Sequence, residues 1–366
     1  MRVGPPFTRL LEGLPASVPF VAPDALARRS GKPLRLRLGA NESPFGPSPR
    51  ALAAMRSALE GVALYGDPES AALRAELARV HGVSPANVVV CSGIDDLIGL
   101  AVRAFVEPGV VAVTSLGGYP TFDYHVHGFG GALNGVPYRN DSSDLEALAD
   151  MARLCGARVV YLANPDNPSG TWHDAVAVQA LIDRLPRETL LLLDEAYIDY
   201  APLGSSPALD VSDPRVLRMR TFSKAHGLAG ARIGYGLAAA ATVSAFDKIR
   251  HHFGVNAVAQ AGALASLSDG DHVRRVVEAV SEGRREYEAL ARSLRLSTLP
   301  SAANFVAFDL GEPSRARALL ASLLERGVFV RMPRLPPLDR CIRVTVGTPA
   351  ERAEFAQIFS ELCGGE

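Results

Sequence analysis

Lys224 is the residue whose type and setting point most directly to chemistry. The chain has 38 basic residues, but only three are lysines, at positions 32, 224 and 248. Lys224 follows a strand-like run at 216–220, in the segment 221–227 (TFSKAHG). A guanidinium stays protonated, whereas a desolvated lysine amine can lose its proton and attack a carbonyl. An isolated lysine is more often a solvated loop residue, so the prediction of an imine-forming lysine depends on its neighbours.

Three further polar clusters also follow short apolar runs that are typical of buried strands. In an open parallel sheet, ligands bind beyond the carboxyl ends of the strands. Each cluster alone fits an ordinary turn or helix cap, and it is their shared placement that predicts a site. The three clusters are 91–95 (CSGID), 164–170 (NPDNPSG) and 194–197 (DEAY).

One group of these residues suits a phosphate. The turn formed by Ser92, Gly93 and Ile94 opens a predicted helix, and backbone N–H groups at a helix N-terminus bind anions. Ser223 adds a hydroxyl group, and Arg232 can add a fixed positive charge. The sequence therefore predicts a phosphate cradle beside Lys224.

A second group suits an aromatic ring. Asp194, placed beyond a buried strand, has a reason to stay ionised only if it meets a cation. Asn167 and Tyr197 can form hydrogen bonds to a phenolic oxygen, and Lys224 requires an aldehyde. A phosphate, a protonated ring nitrogen, a phenolate and an aldehyde together describe pyridoxal 5'-phosphate, which needs a lysine and a carboxylate from its protein.

The order of the motifs resembles that of the fold-type-I, pyridoxal-phosphate-dependent aminotransferases, and is most similar to the histidinol-phosphate aminotransferase branch. The resemblance spans residues 38 to 350, and the ordered set is far more specific than any single member. The motifs are 38–44 (LGANESP), 65–68 (YGDP), 164–170 (NPDNPSG), 194–197 (DEAY), 221–226 (TFSKAH) with Arg232, and 341–348 (CIRVTVGT).

The resemblance implies a role for each residue around the cofactor ring. Lys224 would form the imine with the cofactor and then move the proton of the reaction. Asp194 would pair with the ring nitrogen, while Asn167 and Tyr197 would bond the ring hydroxyl oxygen. Tyr119 would stack on the ring face.

The resemblance also implies a phosphate site shared between two subunits. The backbone of Ile94 and Asp95, with Ser223 and Arg232, would hold the phosphate. Tyr65 would reach the phosphate of the neighbouring subunit's cofactor, so a homodimer is expected.

Substrate recognition is implied for a second set of residues. Arg343 would bind the anionic group of the substrate, and Arg331 matches an arginine that helps hold the substrate's phosphate in this branch. Edge-strand arginines in an Arg-rich protein are the alternative for both. The expected substrate-binding set is Arg343, Arg331, Asn167, Phe20 and Tyr119.

Three departures from the branch bear on the substrate. Phe20 stands where a tyrosine is usual and lacks the hydroxyl group. Gly117 and Gly118 precede Tyr119 where relatives usually have Pro-Thr or Pro-Ser. His226 replaces a tyrosine or phenylalanine, and a packing or hydrogen-bonding role is the expectation for it.

The elements that must position these residues alternate regularly. We predict an α/β fold: a large domain with a mostly parallel sheet covered by helices, aspartate-aminotransferase-like, plus a smaller α+β domain. The predicted division is an arm at 1–37, a cofactor-binding domain at 38–250 and a small domain at 251–366. Predicted strands are 88–91, 110–116, 133–138, 159–163, 190–193, 216–219, 233–237, 304–308, 328–330 and 341–346. Predicted helices are 51–60, 69–81, 94–106, 145–155, 175–185, a stretch from 240 to 268 broken near 254, 272–294, 314–325 and 350–362.

Bulk properties exclude several classes of protein. The 366 residues are 48% hydrophobic and carry a net charge of −1, with neither a basic stripe for nucleic acid nor an 18-residue apolar run for a membrane. The start does not resemble a secretory signal. The four cysteines show no metal spacing, and no metal is predicted. A cytoplasmic enzyme is expected.

The predicted function is transfer of an amino group from an imidazole or aromatic donor, with histidinol phosphate favoured, to 2-oxoglutarate. Aromatic amino acid transamination, or a decarboxylase or oxidase on the same scaffold, is the alternative. A non-catalytic regulator would need a DNA-binding module, which the first 37 residues are too short to form. A nucleotide-binding protein would leave Asp194 and Lys224 without a role, and the chain lacks both glycine-rich phosphate-loop motifs.

Overall fold

The computed structural model describes residues 4–15, 23–30 and 33–364. The helices in this part of the chain are α1 (Arg9–Gly13), α2 (Pro23–Ser30), α3 (Pro49–Leu59), α4 (Ala71–His81), α5 (Ile94–Phe105), α6 (Pro120–Gly128), α7 (Leu145–Cys155), α8 (Ala175–Arg184), α9 (Ala240–Asp247), α10 (Ala257–Leu267), α11 (Gly270–Ser293), α12 (Pro313–Glu325) and α13 (Pro349–Cys363). The strands are β1 (Leu36–Arg37), β2 (Val88–Cys91), β3 (Val111–Ser115), β4 (Ala132–Val136), β5 (Val159–Ala163), β6 (Leu190–Asp194), β7 (Val216–Thr221), β8 (Gly234–Leu237), β9 (Ser297–Thr298), β10 (Phe305–Asp309), β11 (Val328–Phe329) and β12 (Cys341–Thr345).

A seven-stranded sheet forms the centre of the large domain, in the order β2-β8-β7-β6-β5-β3-β4. Neighbouring strands from β7 to β4 run parallel. Strand β8 runs antiparallel to both β2 and β7. The predicted α/β fold with a mostly parallel sheet is confirmed.

Strands β5 and β6 are buried along their whole length because helices cover both faces of the sheet. Successive side chains of a strand point to opposite faces. Leu192 accordingly packs in the cluster beneath α5, and Leu193 packs in the cluster beneath α7 and α8. The unbroken leucine run at 190–193 predicted this two-sided burial correctly.

The smaller domain is built on a three-stranded antiparallel sheet in the order β12-β10-β9. Aromatic rings fill its core: Phe308 and Phe359 have centroids 4.9 Å apart, and Phe355 and Phe359 lie 5.1 Å apart. Buried aromatic side chains contribute large apolar areas, and here they hold α11 and α13 against the sheet.

Strand β1 was not predicted, and it joins the beginning of the chain to the small domain. Leu36 pairs with Val328 and Arg37 pairs with Phe329, in parallel. The N–H of Leu38 continues the ladder by donating to the Phe329 carbonyl at 2.8 Å. The segment that follows β1 is thereby fixed beside the small domain as it approaches the large one.

Helix α10 lies beyond the predicted domain division at residue 250. Its residues Ala259 and Ala263 pack with β2 and β8, in the same cluster as Leu73 and Leu77 of α4. The division at 250 stays a prediction, and this packing argues for a boundary after Leu267.

Helix α6 was also missed by the sequence analysis. Its sequence contains glycine, two histidines and β-branched residues, all weak helix formers. Pro120 at its first position and the burial of Phe122 and Val126 stabilise it instead. Among the described helices, none is both long enough and apolar enough to cross a membrane.

Candidate active site

The predicted polar clusters meet at one edge of the central sheet. Strands β2, β5, β6 and β7 run in the same direction, so their carboxyl ends share this edge. The register aligns Ala163 with Asp194, and Asp194 with Met219, two residues before the end of β7. Polar residues that follow these strands therefore converge, as the sequence predicted.

The turn into α5 forms a cradle for an anion. Gly93 has φ +91°, and a Cβ atom there would come within 2.5 Å of the Arg232 guanidinium. That guanidinium donates to the Ala229 carbonyl at 3.0 Å and reaches the Ser223 hydroxyl at 3.5 Å. A positive side chain therefore lies directly over the N-terminus of α5, where the helix dipole already favours an anion.

Ser92 and Asp95 complete the surroundings of the cradle. The Ser92 hydroxyl donates to the Gly254 carbonyl at 2.5 Å, and the Ser92 N–H donates to Asp96 at 3.0 Å. The Asp95 carboxylate lies 3.7 Å from Arg232 and accepts the Tyr119 hydroxyl at 2.8 Å. Asp95 thus connects the anion cradle to the predicted stacking ring.

Asp194, the last residue of β6, is a buried carboxylate that only neutral donors contact. Its Oδ2 accepts the Tyr161 hydroxyl at 2.7 Å, and its Oδ1 accepts the Ala196 N–H at 2.9 Å. Burial raises the pKa of Asp194 to about 6, against the lowering effect of the Tyr161 hydrogen bond. Among the described residues it forms no ion pair, so it would favour a cation placed beside it.

Lys224 lies where β7 has ended, with its amine inside the site. Nζ donates to the Asn41 carbonyl at 2.9 Å and lies 5.5 Å from the centroid of the Tyr197 ring. Burial, and then the positive charge of Arg343, lower the pKa of Lys224 to about 8. A neutral, nucleophilic amine is therefore accessible near neutral pH.

Tyr197 and Asn167 lie together, as predicted. The Tyr197 hydroxyl accepts the side-chain amides of Asn41 at 2.9 Å and of Asn167 at 3.5 Å. The Tyr197 ring packs edge-on against Phe305 at 5.4 Å. Burial raises the pKa of Tyr197 to about 12, so its hydroxyl keeps its proton and can donate to an oxygen in the site.

Arg343, in β12, is a buried cation that no carboxylate contacts within the part of the chain that the structure describes. Its guanidinium donates to the Asn167 side-chain oxygen and, at 3.0 Å, to the Gly39 carbonyl. Its Nε is buried without a hydrogen-bond partner among the described residues. Burial lowers the pKa of Arg343 to about 10. A buried donor left open in this way is suited to an anionic ligand.

Arg331 lies beside Arg343. The two residues form an antiparallel bridge, in which the Arg343 N–H donates to the Arg331 carbonyl at 2.6 Å. The Arg331 guanidinium lies 5.3 Å from the Phe329 ring centroid, and burial followed by the nearby Arg334 lowers its pKa. Two cationic side chains thus come from adjacent backbone positions on the small domain.

A further predicted site residue, Tyr65, lies at the surface. Tyr65 is 85% exposed, and its ring contacts Phe253 at a centroid distance of 4.7 Å. Phe20 falls outside the residues that the structure describes, and its role stays a prediction.

Two site residues were missed by the sequence analysis. Asn41 was noted only as part of a motif, yet it contacts Lys224 and Tyr197 and accepts the Thr345 hydroxyl at 3.2 Å. Its φ of +54°, unusual outside glycine, suits asparagine, and this preference was the available signal. Tyr161 was noted only as part of a strand, and one tyrosine within an apolar run gave the only hint of it.

The departures from the branch have distinct structural settings. Gly117 has φ +89°, and a Cβ atom there would lie 3.2 Å from Leu335, in the loop that follows Arg331. His226 bonds the Ser266 hydroxyl of α10 at 2.7 Å and packs on Phe222 at 4.8 Å. His226 is therefore a hydrogen-bonded packing residue, as expected.

Comparison with known proteins identifies the family. Residues 35–359 match the family model of aminotransferases of class I and II. A histidinol-phosphate aminotransferase from Methylobacillus flagellatus is 36% identical over 97% of this chain and 98% of its own length. A histidinol-phosphate aminotransferase 2 from Carboxydothermus hydrogenoformans is 35% identical over 95% and 96%.

The chain belongs to the class I and II aminotransferases. Its relatives place it in the histidinol-phosphate aminotransferase branch, which confirms the predicted family. The crystal structure of histidinol-phosphate aminotransferase from Sinorhizobium meliloti in complex with pyridoxal-5'-phosphate superposes with a TM-score of 0.96. The two sequences are 46% identical, and the match covers 99% of each chain.

The site of this aminotransferase fits the cofactor that its family implies. The cradle formed by Gly93 and Arg232 suits a phosphate, and the unpaired carboxylate of Asp194 suits a protonated ring nitrogen. Lys224 offers a half-buried amine of lowered pKa. The individual roles of these residues remain predictions.

Proposed function

We propose that this aminotransferase moves the amino group of L-histidinol phosphate to 2-oxoglutarate with pyridoxal 5'-phosphate as its cofactor. One observation carries the proposal. Lys224, Asp194 and Arg343 are charged groups enclosed in one site, and none forms an ion pair with another described residue. Burying unpaired charge costs stability, so such a cluster is expected where a ligand completes it.

The cofactor, when bound, supplies an aldehyde that takes up the amino group and a ring that withdraws electrons. Lys224 would supply the Nζ that first holds this aldehyde and then carries the proton removed from the substrate's Cα. Its hydrogen bond to the Asn41 carbonyl aims Nζ before any ligand arrives. Asp194 would hold the proton of the ring nitrogen, while Asn167 and Tyr197 would bond the ring oxygen.

The paired arginines support a phosphorylated donor over a simple carboxylate donor. A phosphate monoester carries up to two negative charges and three acceptor oxygens, and arginine forks recognise this geometry. After burial, the nearby positive charge of Arg331 lowers the pKa of Arg343, and a dianion would offset that repulsion more fully than a monoanion. A substrate whose phosphate is held by these arginines would have its Cα correctly oriented in the site and shielded from water.

A panel of donors tests the proposal. L-histidinol phosphate should convert the visible band of the bound cofactor at micromolar concentrations, whereas L-histidinol, L-phenylalanine and L-tyrosine should require much more. In Arg331→Gln, KM for L-histidinol phosphate should rise about 10- to 100-fold, the range for a lost charge-assisted hydrogen bond. The response to L-histidinol should stay unchanged in this variant, because it has no phosphate.

Other results of this donor panel would favour a different substrate or a different reaction. A stronger response to L-phenylalanine or L-tyrosine would favour the aromatic amino acid alternative. Release of carbon dioxide or consumption of oxygen would favour a decarboxylase or oxidase on the same scaffold. A wild-type protein that responds to none of these donors would contradict the substrate class altogether.

We also propose a cytoplasmic homodimer. Apolar side chains near the end of α3 are strongly exposed, which supports a subunit interface there. The exposed residues are Leu59, Val62, Leu64, Tyr65 and Phe253. Tyr65 would then reach the partner's cofactor phosphate. Light scattering should give twice the chain mass, and a monomer with full activity would contradict this proposal.

A further inference from the structure

Tyr161 is a buried tyrosine in the middle of β5 that the register aims at Asp194. Tyr161 pairs with Leu192 on β6, and Ala163 pairs with Asp194. Side chains two positions apart point to the same face of a sheet, and such diagonal neighbours on adjacent strands lie within reach of long side chains. The strand pairing itself therefore brings the phenol to the carboxylate.

The contact is short and rigidly held. The Tyr161 hydroxyl donates to Asp194 Oδ2 at 2.7 Å, and both residues are almost fully buried. The Tyr161 ring stacks on Phe122 with centroids 5.0 Å apart and planes at 15°. Burial and the negative charge of Asp194 raise the pKa of Tyr161 well above its ordinary value, so the hydroxyl remains a donor.

We propose that Tyr161 is a positioning residue that fixes the orientation and basicity of Asp194 towards the ring nitrogen of the cofactor. The inference rests on the proposed cofactor and extends it to a residue that does not touch the ring. Tyr161 and the Ala196 N–H each hold one oxygen of Asp194, which sets the plane of the carboxylate. A neutral donor stabilises the charged carboxylate without adding a positive charge that would compete with the ring.

The other charged groups that face Asp194 act from a distance. Asp95 on α5 raises the pKa of Asp194, and Lys224 after β7 lowers it. Among the described residues, Tyr161 is the one whose side chain donates a hydrogen bond to the carboxylate. Removal of this hydroxyl should therefore change Asp194 more directly than any other single alteration in its surroundings.

Replacement Tyr161→Phe in the full-length protein tests the role. Without the donor, Asp194 binds protons more tightly, and the proton shared with the ring nitrogen shifts towards the carboxylate. The dissociation constant for pyridoxal 5'-phosphate should rise about 10- to 100-fold, as for other lost hydrogen bonds to charged groups. The pH midpoint of the bound cofactor's visible band should move upward by about one unit. A ring that carries less positive charge lowers the pKa of the Lys224 nitrogen bonded to the cofactor less strongly.

Tyr235→Phe is the matched control. Tyr235 also lies buried in the central sheet, on β8, and its hydroxyl is hydrogen-bonded to His81 at 2.9 Å. The control loses the same atom from the same sheet but does not touch Asp194. Its cofactor affinity and spectral midpoint should equal those of the wild type.

Incorporation of 3-fluorotyrosine at position 161 gives a test that keeps the fold intact. Fluorine makes the hydroxyl a stronger donor, so the spectral midpoint should move downward, opposite to Tyr161→Phe. An unchanged midpoint in both variants, or an equal change in Tyr235→Phe, would overturn the positioning role. A wild-type protein that shows no visible band with pyridoxal 5'-phosphate would instead overturn the proposed cofactor.

Discussion

Two regions of this molecule bury charge in opposite ways, and neighbouring residues show the contrast. Among the residues that the structure describes, only neutral donors contact Asp194. Glu195, the next residue, lies 2.8 Å from the Arg220 guanidinium and 3.7 Å from that of Arg218. Asp194 faces the site without a cation beside it, whereas the charge of Glu195 is already balanced by two arginines.

The small domain repeats the contrast with two arginines. Arg352 is buried and forms a two-pronged ion pair with Glu286, at 2.7 and 2.8 Å. Arg343 is buried as well, but amide and carbonyl oxygens are its partners. Paired charges hold the framework together, whereas charges without ionic partners mark the place where a ligand would complete the structure.

The largest expected effect is the loss of the site's amine. Lys224→Arg keeps a positive charge in the site but removes the amine that can lose its proton. Amino transfer should fall by roughly 10⁴-fold, the upper range for a lost proton-transfer group. Single-turnover absorbance with L-histidinol phosphate measures this. Activity within tenfold of the wild type would show that charge alone matters here.

The two adjacent carboxylates should respond differently to neutralisation. Glu195→Gln leaves the buried Arg218 and the half-buried Arg220 without their counter-ion and should cost about 3–5 kcal/mol of unfolding free energy. Asp194→Asn removes an unpaired charge and should leave the cofactor-free protein as stable as the wild type or more so. Urea denaturation of the cofactor-free proteins checks both, and equal losses in the two variants would remove the distinction.

The stability of the cofactor-free protein should be lowest between about pH 6 and pH 8. The pKa of Asp194 is about 6 in the folded protein and 3.8 in the unfolded chain. The free energy of unfolding therefore falls as the pH rises from about 3.8 to about 6. Folded Lys224 loses its proton near pH 8, below the unfolded value of 10.5, so stability rises above pH 8. Each limb amounts to about 3 kcal/mol.

Thermal melting across pH measures this minimum. Asp194→Asn should flatten the acidic limb and leave the alkaline limb in place. Saturation with pyridoxal 5'-phosphate should remove the stability minimum, since the ligand pairs with both Asp194 and Lys224. A wild-type profile without a minimum would contradict the unpaired state of these two charges.

The smallest effect is expected at the Arg352 ion pair. Glu286 is 48% exposed, so water screens its interaction with Arg352. Glu286→Gln should cost about 1 kcal/mol or less. A loss as large as that of Glu195→Gln would show that burial of one partner is enough to make a pair strong.

The sequence predicted the sheet and most of the site because both depend on local patterns. The all-leucine run at 190–193 indicates a strand covered on both faces, and a polar residue after it must emerge at the carboxyl edge. Asp194 and Lys224 were predictable for this reason. Helix α6 was not, because its stability comes from the burial of Phe122 and Val126 rather than from its own helix propensity.

The contacts that the sequence did not reveal depend on strand register and on distant chain segments. Tyr161 reaches Asp194 only because β5 and β6 pair with one particular alignment. Asn41 reaches Lys224 across 183 positions of the chain. The sequence around each residue does not identify its partner. For Tyr161, a one-residue shift in register would turn the side chain to the opposite face.

The pairing of β1 with β11 has a consequence for biosynthesis. Leu36 leaves the ribosome early, but its partner Val328 follows only when most of the chain has been made. All seven strands of the central sheet precede residue 238, so that sheet can close first. A nascent chain that stops before β11 would then hold Lys224 in place but lack the strand that anchors Asn41 beside it. Such a partial product is expected to be compact and inactive, and catalytic competence should arise only in the last steps of synthesis.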